Sequence, residues 1–295
     1  MKTLSSNLKW ITLGICLAAS QNAAASCYAE KVIELDFDAD NFTEMRLNAL
    51  AGELYLEASD DNELSVRGVA CADRHTYLER MSINVEEKGS TLELTVIIPY
   101  HEPDWHANYA YVDLTLKVPA SLTHLIKDSS GDLEAHGIKL SMLNDSSGDI
   151  HLRDTTGDFS LRDSAGFVSV RDHKGDVELQ DSSGDLDIVS VDGDVNVIRD
   201  SSGDIEIDTV SGTVTIGRDS SGDIEIDSVE RDVEVGSDGS GKIKIRDVKG
   251  SVEIGSDGSG DIVVQRVGGD FVLSRKGSGD IRTAKIQGDI RIPQF

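Results

Sequence analysis

The spacing of glycine constrains this chain more than any other feature. From residue 148, a glycine recurs every nine residues as far as residue 193, and then at alternating steps of ten and nine as far as residue 288. Arg231 occupies one of these glycine slots. A fixed period sustained over roughly 140 residues is typical of a solenoid, in which one unit is repeated and stacked. Two successive segments make one coil of 18 or 19 residues.

Each segment also alternates in polarity after its glycine. In Gly203-Asp204-Ile205-Glu206-Ile207, the second and fourth residues after the glycine are aliphatic and the residue between them is polar. Alternation with a period of two predicts a short strand with one buried face. We therefore expect two strands per coil, with the aliphatic side chains stacked about 4.8 Å apart in a core ladder. Its members are Ile205, Ile207, Val214, Ile216, Ile224, Ile226, Val233, Val235, Ile243, Ile245, Val252 and Ile254.

The predicted fold is therefore all-β: a parallel β-solenoid, or β-helix, with an irregular N-terminal β cap. Residues 27–125 alternate without the strict period, so we assign them to the cap and the first coils, and residues 126–295 to the regular repeats. The C-terminal end carries Pro293 as an edge breaker and little else. We expect this end to be open and to offer a surface for self-association.

The first 26 residues have the pattern of a signal peptide. Lys2 and Lys9 precede the apolar run from residue 10 to residue 19, and Ala23-Ala24-Ala25 offers a small-residue cleavage site. Loss of both lysines would change the formal net charge from -26 to -28. So acidic a chain is a poor partner for nucleic acid. No later stretch is apolar enough to span a bilayer. We predict export, to the periplasm first, with the cell surface or an outer-membrane lipoprotein as alternatives.

Cysteine usage agrees with export. Cys16 would leave with the signal peptide, and Cys27 and Cys71 remain as a pair in an oxidising compartment. We predict a disulfide between them. The alternative is lipidation at Cys27, although the residues before it lack the usual leucine of a lipoprotein cleavage box.

The repeats also resemble a known family. A strand ending in Val118-Pro119, then Asp128-Ser129-Ser130-Gly131-Asp132 and tandem Ser-Gly-Asp units, is similar to the DUF4097 family of bacterial β-strand-repeat proteins, which are related to adhesins. The resemblance covers nearly all of the mature chain. It implies an exported β-solenoid with an adhesin-like role, and it implies no catalytic residue.

Stacked aspartates are the first candidate for chemistry. Some of these aspartates begin the turn, and others directly follow the turn glycine. Two aspartates one coil apart carry like charges and should repel each other by about 1 kcal/mol in water. One prediction is a solvated acidic face, balanced by neighbouring arginines, serine hydroxyls and turn amides. The alternative is Ca²⁺ binding, because Ca²⁺ prefers several oxygen ligands, although the aspartates do not match the calcium-binding β-roll motif. The Ca²⁺ candidates are Asp200, Asp204, Asp219, Asp223, Asp238, Asp257 and Asp261.

The second candidate is a polar loop in the cap that collects two imidazoles, two carboxylates and a tryptophan. It could be a packed hairpin loop, a transition-metal site, or a ligand-binding loop in which aromatic rings stack on a partner. Its candidate residues are His101, Glu102, Asp104, Trp105, His106 and Tyr109.

Catalysis is the least favoured class. The remaining histidines form no Ser/His/Asp arrangement, and a coil length that stays at 17 to 19 residues leaves no inserted loops to build a cleft. We expect no catalytic residue and no cofactor apart from the Ca²⁺ alternative. The predicted function is a non-enzymatic scaffold that binds an envelope or surface protein or glycan. A Ca²⁺-binding β-roll-like protein and a polysaccharide-active β-helix enzyme are the alternatives, in that order.

Overall fold

A computed structural model describes residues 27–293 of the chain, and the predicted signal peptide lies outside the described residues. The chain forms two compact units, which divide between Glu134 and Ala135. In the described part of the chain, no helix has the length and apolar character needed to cross a membrane.

The first unit is a β structure with one short helix. Its elements are β1 Ala29–Asp38, β2 Glu44–Ala51, β3 Leu54–Ser59, β4 Glu63–Ala72, α1 His75–Leu78, β5 Ser82–Lys88, β6 Thr91–Ile97, β7 Ala110–Pro119 and β8 Thr123–Ser130. Strands β1 and β4, β4 and β7, and β5 and β6 pair antiparallel, whereas β3 pairs with β7 and β2 pairs with β6 and β8 in parallel. This mixture lacks the strict repeat, as the sequence predicted for the N-terminal part of the β structure.

A disulfide ties the beginning of the first unit to β4. Cys27 and Cys71 are bonded, with 5.8 Å between their Cα atoms. The predicted disulfide is therefore present. By the chain-entropy model, closing a loop of this length contributes about 4 kcal/mol of stability.

The second unit contains the regular repeats. Strand β9, Leu133–His136, spans the division between the units. The later strands are β10 Lys139–Asn144, β11 Ile150–Arg153, β12 Phe159–Arg162, β13 Val168–Lys174, β14 Val177–Gln180, β15 Leu186–Asp192, β16 Val195–Arg199, β17 Ile205–Val210, β18 Val214–Arg218, β19 Ile224–Val229, β20 Val233–Asp238, β21 Ile243–Val248, β22 Val252–Asp257, β23 Ile262–Val267, β24 Phe271–Arg275, β25 Ile281–Ile286 and β26 Ile290–Arg291.

These strands form two parallel sheets. Odd-numbered strands from β11 to β25 make one sheet and even-numbered strands from β10 to β26 make the other, each pairing with the equivalent strand one coil later. The fold is therefore the predicted parallel β-solenoid with two short strands per coil.

The aliphatic ladder lies between the sheets. Ile205 pairs with Ile224, and Ile224 with Ile243, in exact sequence register. All twelve residues of the ladder named above are buried. Corner valines such as Val210 and Val229 are buried as well. Because each coil covers the apolar side chains of the next, the coils stabilise one another.

Glycine at the Ser-Gly-Asp turn is required by the backbone. Gly222 has a φ of +140°, and a Cβ atom there would lie 1.8 Å from the carbonyl oxygen of Gly203 in the preceding coil. Only a residue without a side chain fits such a close approach. In the other glycine slot of the coil, Gly175 also has a positive φ, of +133°, but Arg231 occupies this slot without one.

Candidate functional site

The aspartate after each turn glycine holds successive coils together. The Oδ1 atom of Asp204 accepts a hydrogen bond from the backbone N–H of Asp223, and that of Asp223 accepts one from the N–H of Lys242. Asp261 does the same for the N–H of Asp280 at 2.9 Å. Three of the Ca²⁺ candidates thus already use one carboxylate oxygen within the fold.

The aspartate that begins each turn is buried, which corrects one expectation. A solvated acidic face was predicted for the stacked aspartates, but Asp200 is 0% exposed and Asp219 is 2% exposed. Asp238 and Asp257 are each 4% exposed. These four side chains belong to the interior of the solenoid, whereas the aspartates after the glycines are at its surface.

A local change of register explains this burial. In β20, Val233 and Val235 point inward, the next two residues are partly exposed, and Asp238 points inward again. Strict alternation would have placed residue 237 inward and residue 238 outward. Because of the extra outward residue, the aspartate side chain points inward at the corner of the coil.

Backbone amides of the turn donate hydrogen bonds to one oxygen of several of these buried carboxyl groups, as at Asp200 and Asp219. The Oδ1 atom of Asp200 accepts a hydrogen bond of 2.7 Å from the backbone N–H of Ser201. At Asp181 the equivalent bond, from the N–H of Ser182, is 2.6 Å. The Asp-Ser-Ser-Gly sequence thus forms a turn closed by its own first side chain.

Burial raises the pKa of these carboxyl groups. Desolvation is the largest cause, and it raises the pKa of Asp181 and of Asp200 to about 6 against the opposing effect of the turn amides. The pKa of Asp238 rises to about 7, through desolvation first and then through its neighbours Asp219 and Asp257. Partly protonated carboxyl groups are weaker ligands for a cation than ionised ones.

The geometry for a metal ion is correspondingly sparse. Within residues 27–293, no three His, Cys, Asp or Glu side chains converge as a metal-binding group. Asp200 faces the interior while Asp204, four residues later, lies at the surface with its Oδ1 atom bonded to an amide. Ca²⁺ binding at the seven candidate aspartates remains a prediction.

The polar loop of the first unit is packed around its tryptophan. Trp105 is 8% exposed, and its ring centroid lies 4.4 Å from that of Tyr77 and 6.3 Å from that of Tyr100. The guanidinium of Arg80 lies over the indole ring at 5.5 Å and forms ion pairs with Glu102 and Asp104. The tryptophan therefore stabilises the loop from inside.

Other residues of the loop remain available to a partner. Tyr109 is 38% exposed and lies 6.4 Å from Tyr111, while His101, Glu102 and Asp104 are exposed. His106 lies near them, with its backbone N–H bonded to the hydroxyl of Tyr77. A role in ligand binding for this loop remains a prediction, and Tyr109 is the accessible tyrosine among its candidate residues.

One buried histidine in the second unit was not singled out by the sequence. His173 is 1% exposed, and its Nδ1 atom lies 2.9 Å from the hydroxyl of Thr155. Its ring meets Phe159 edge-on at 4.9 Å. Burial lowers the pKa of His173, so the neutral imidazole packs in the core.

A shallow groove on the even-numbered sheet is the candidate site that the sequence missed. It has a volume of about 390 Å³ and lies across four successive coils. Surface-facing carboxylates occur along it with no lysine or arginine in its lining. The lining residues are Ser141, Asp158, Phe159, Ser160, Asp176, Val177, Glu178, Asp194 and Asn196. Only the stacking of coils brings residues 18 positions apart together, which is why no local motif marked the groove.

Most of the chain matches a known protein family. The model of a family described as Toastrack DUF4097 matches residues 42–246. No curated protein matches the chain.

Several solved structures are similar at low identity. A presumed lipid-binding protein from Parabacteroides distasonis is 14% identical with a TM-score of 0.41, and 88% of this chain and 96% of that chain are covered. A presumed cell adhesion protein from Clostridium sporogenes is 14% identical with a TM-score of 0.33, over 87% and 99% of the two chains. A presumed adhesin from Bacteroides fragilis is 15% identical with a TM-score of 0.30, over 88% and 96%.

Proposed function

Because this chain belongs to the Toastrack DUF4097 family, we propose that it is a non-catalytic, exported scaffold that binds an envelope or surface partner along its solenoid. The groove on the even-numbered sheet is the proposed binding surface. The proposal concerns the class of function and the kind of partner, and it names no individual ligand.

The composition of the groove is the observation that carries this proposal. Asp158, Asp176 and Asp194 lie at equivalent positions in successive coils, and Glu178 and Asn196 project beside them. No cation lines the groove, so its electrostatic potential is negative and favours a partner that presents lysine, arginine or amino groups. A basic segment of an envelope protein fits this chemistry best.

The shape of the groove supports binding without catalysis. It is open and shallow, whereas a catalytic site usually excludes water from a deep pocket. Successive coils keep nearly the same length, so no inserted loop closes over the sheet. A row of equivalent positions suits recognition of an extended partner, as on the binding surfaces of other solenoids.

Reversal of charge in the groove tests the proposal. Glu178 and Asn196 are good sites because their side chains face outward from β14 and β16. The double variant Glu178→Lys/Asn196→Lys should retain the wild-type melting temperature. It should lose most co-sedimentation with envelope fractions of the source organism.

A matched control is available on the other sheet. Glu206 is exposed near the beginning of β17, and Glu206→Lys makes the same charge reversal outside the groove as Glu178→Lys makes within it. We expect this variant to bind as the wild type does. Equal binding by the groove variant and the wild type would contradict the proposed surface. Loss of binding in both variants would show that overall charge, and not the groove, governs the interaction.

A further inference from the structure

A column of buried aspartates runs through the second unit at one corner of the coils. Each member begins a turn, each is separated from the next by 18 or 19 residues, and none is more than 6% exposed. We call it the aspartate column, and its members are Asp145, Asp163, Asp181, Asp200, Asp219, Asp238 and Asp257. Carboxylates are rarely buried in such number without cations beside them.

Each carboxyl group in the middle of the column is only half satisfied by the fold. Oδ1 of Asp181 and of Asp200 accepts a hydrogen bond from the following serine amide. The Oδ2 atoms of Asp181, Asp200 and Asp219 are buried, and no atom of residues 27–293 donates a hydrogen bond to them. An ionised oxygen in this position carries a desolvation cost, and a proton on the carboxyl group removes the charge.

Neighbouring members of the column are close enough to share that proton. Asp238 and Asp257 are paired in register on β20 and β22, strands of one parallel sheet, whose usual spacing is about 4.8 Å. The carboxyl groups of Asp219 and Asp257 act electrostatically on that of Asp238. Both oxygens of Asp238 and of Asp257 are buried, and none of them has a hydrogen-bond partner among the described residues. Two such carboxyl groups can form a hydrogen bond with each other only if one of them carries a proton.

We propose that the aspartate column is a proton-binding site of the solenoid, in which neighbouring carboxyl groups share protons and the loss of these protons loosens the coils. The ligand is the proton itself, and the column makes the stability of the second unit respond to acidity. This inference does not depend on the binding surface proposed above.

The groups that face the column favour retention of protons over most of its length. Asp149 acts on Asp163, Asp185 acts on Asp200, and Asp204 acts on Asp219, each raising the pKa of its neighbour. Within the column, Asp181 is affected by the members on either side of it. At the far end of the column, the cation Lys276 acts in the opposite direction and lowers the pKa of Asp257.

The direction of the pH effect follows from the raised pKa values. An aspartate in the unfolded chain has a pKa of about 3.9, whereas Asp200 and Asp238 titrate near 6 and 7 in the fold. Between these values the folded chain binds more protons than the unfolded chain. Stability is therefore highest at the acidic side of this window and falls as the pH rises through it.

Chemical denaturation of the full chain between pH 5 and pH 8 tests the proposal. For each proton lost by the folded state, the unfolding equilibrium constant should rise about tenfold per pH unit within the window. The amide of Asp238→Asn has the same shape as the carboxyl group and cannot ionise. The pH dependence of this variant should therefore correspond to the loss of about one proton fewer than in the wild type. Asp223→Asn is the control. It removes an exposed carboxylate that follows the turn glycine, and it keeps the side-chain oxygen that accepts a hydrogen bond from the backbone N–H of Lys242.

A second readout does not depend on the variants folding well. Infrared spectra of the folded wild type at pH 6 should contain the carbonyl band of protonated carboxyl groups, and this band should disappear on unfolding at the same pH. Absence of the band, or a stability that stays flat from pH 5 to pH 8, would overturn the proposal. An equal reduction of the pH slope in Asp238→Asn and Asp223→Asn would also overturn it, because surface charge would then account for the effect.

Discussion

The Oδ1 atom of Asp204 accepts a hydrogen bond of 2.8 Å from the backbone N–H of Asp223, one coil later. The bond is one of a series in which a carboxylate completes the ladder at the point where strand pairing is interrupted by the turn. The aspartate of the Ser-Gly-Asp repeat is therefore explained by the stacking of coils, without any ligand.

Truncation of this side chain should weaken the stack. Asp204→Ala leaves the amide of Asp223 without its charged acceptor, and we expect the free energy of unfolding to fall by about 1 kcal/mol. Asp204→Asn keeps the acceptor oxygen and should lose less than half as much. Urea denaturation of both variants measures the difference, and equal losses would show that charge matters here and the hydrogen bond does not.

Glycine in the first slot of the coil should be irreplaceable. Gly222→Ala combines a φ of +140° with a Cβ atom 1.8 Å from the carbonyl oxygen of Gly203, so the coils must separate locally. We expect a loss of about 3 kcal/mol in the free energy of unfolding. The matched control is Gly89→Ala, where φ is +65° and no atom lies within 4 Å of the added Cβ. It should cost only about 1 kcal/mol, and a similar loss in the two variants would contradict the steric argument.

A corner of each coil stores backbone strain that a substitution can relieve. Thr209 has a φ of 59°, and Ser228 and Asp247 adopt the same left-handed conformation in the next two coils. A β-branched side chain is unfavourable there, whereas asparagine tolerates this region. We expect Thr209→Asn to increase the free energy of unfolding by about 0.5 to 1 kcal/mol. Thr215→Asn, within β18, should destabilise instead, and thermal melts of both variants provide the test.

The period of glycine was sufficient to predict the solenoid, because a strict repeat allows few ways to bury Ile205, Ile224 and their equivalents. The burial of Asp200 and Asp219 could not be predicted in the same way. It depends on two consecutive outward residues before the turn, and alternation alone assigns the aspartate to the surface. The groove beside Glu178 was also hidden, since its residues meet only across coils.

The packing of Trp105 separates a structural role of the cap loop from a binding role. Its ring is buried against Tyr77, so Trp105→Ala should reduce the free energy of unfolding by about 3 kcal/mol, and any loss of binding in that variant would be ambiguous. Tyr109 is the better probe, because it is 38% exposed. Tyr109→Ala should change stability by less than about 0.5 kcal/mol. If the loop contributes to recognition, this variant should bind envelope fractions more weakly while its melting temperature is unchanged. Wild-type binding by Tyr109→Ala would leave the loop with the structural role that the packing of Trp105 already explains.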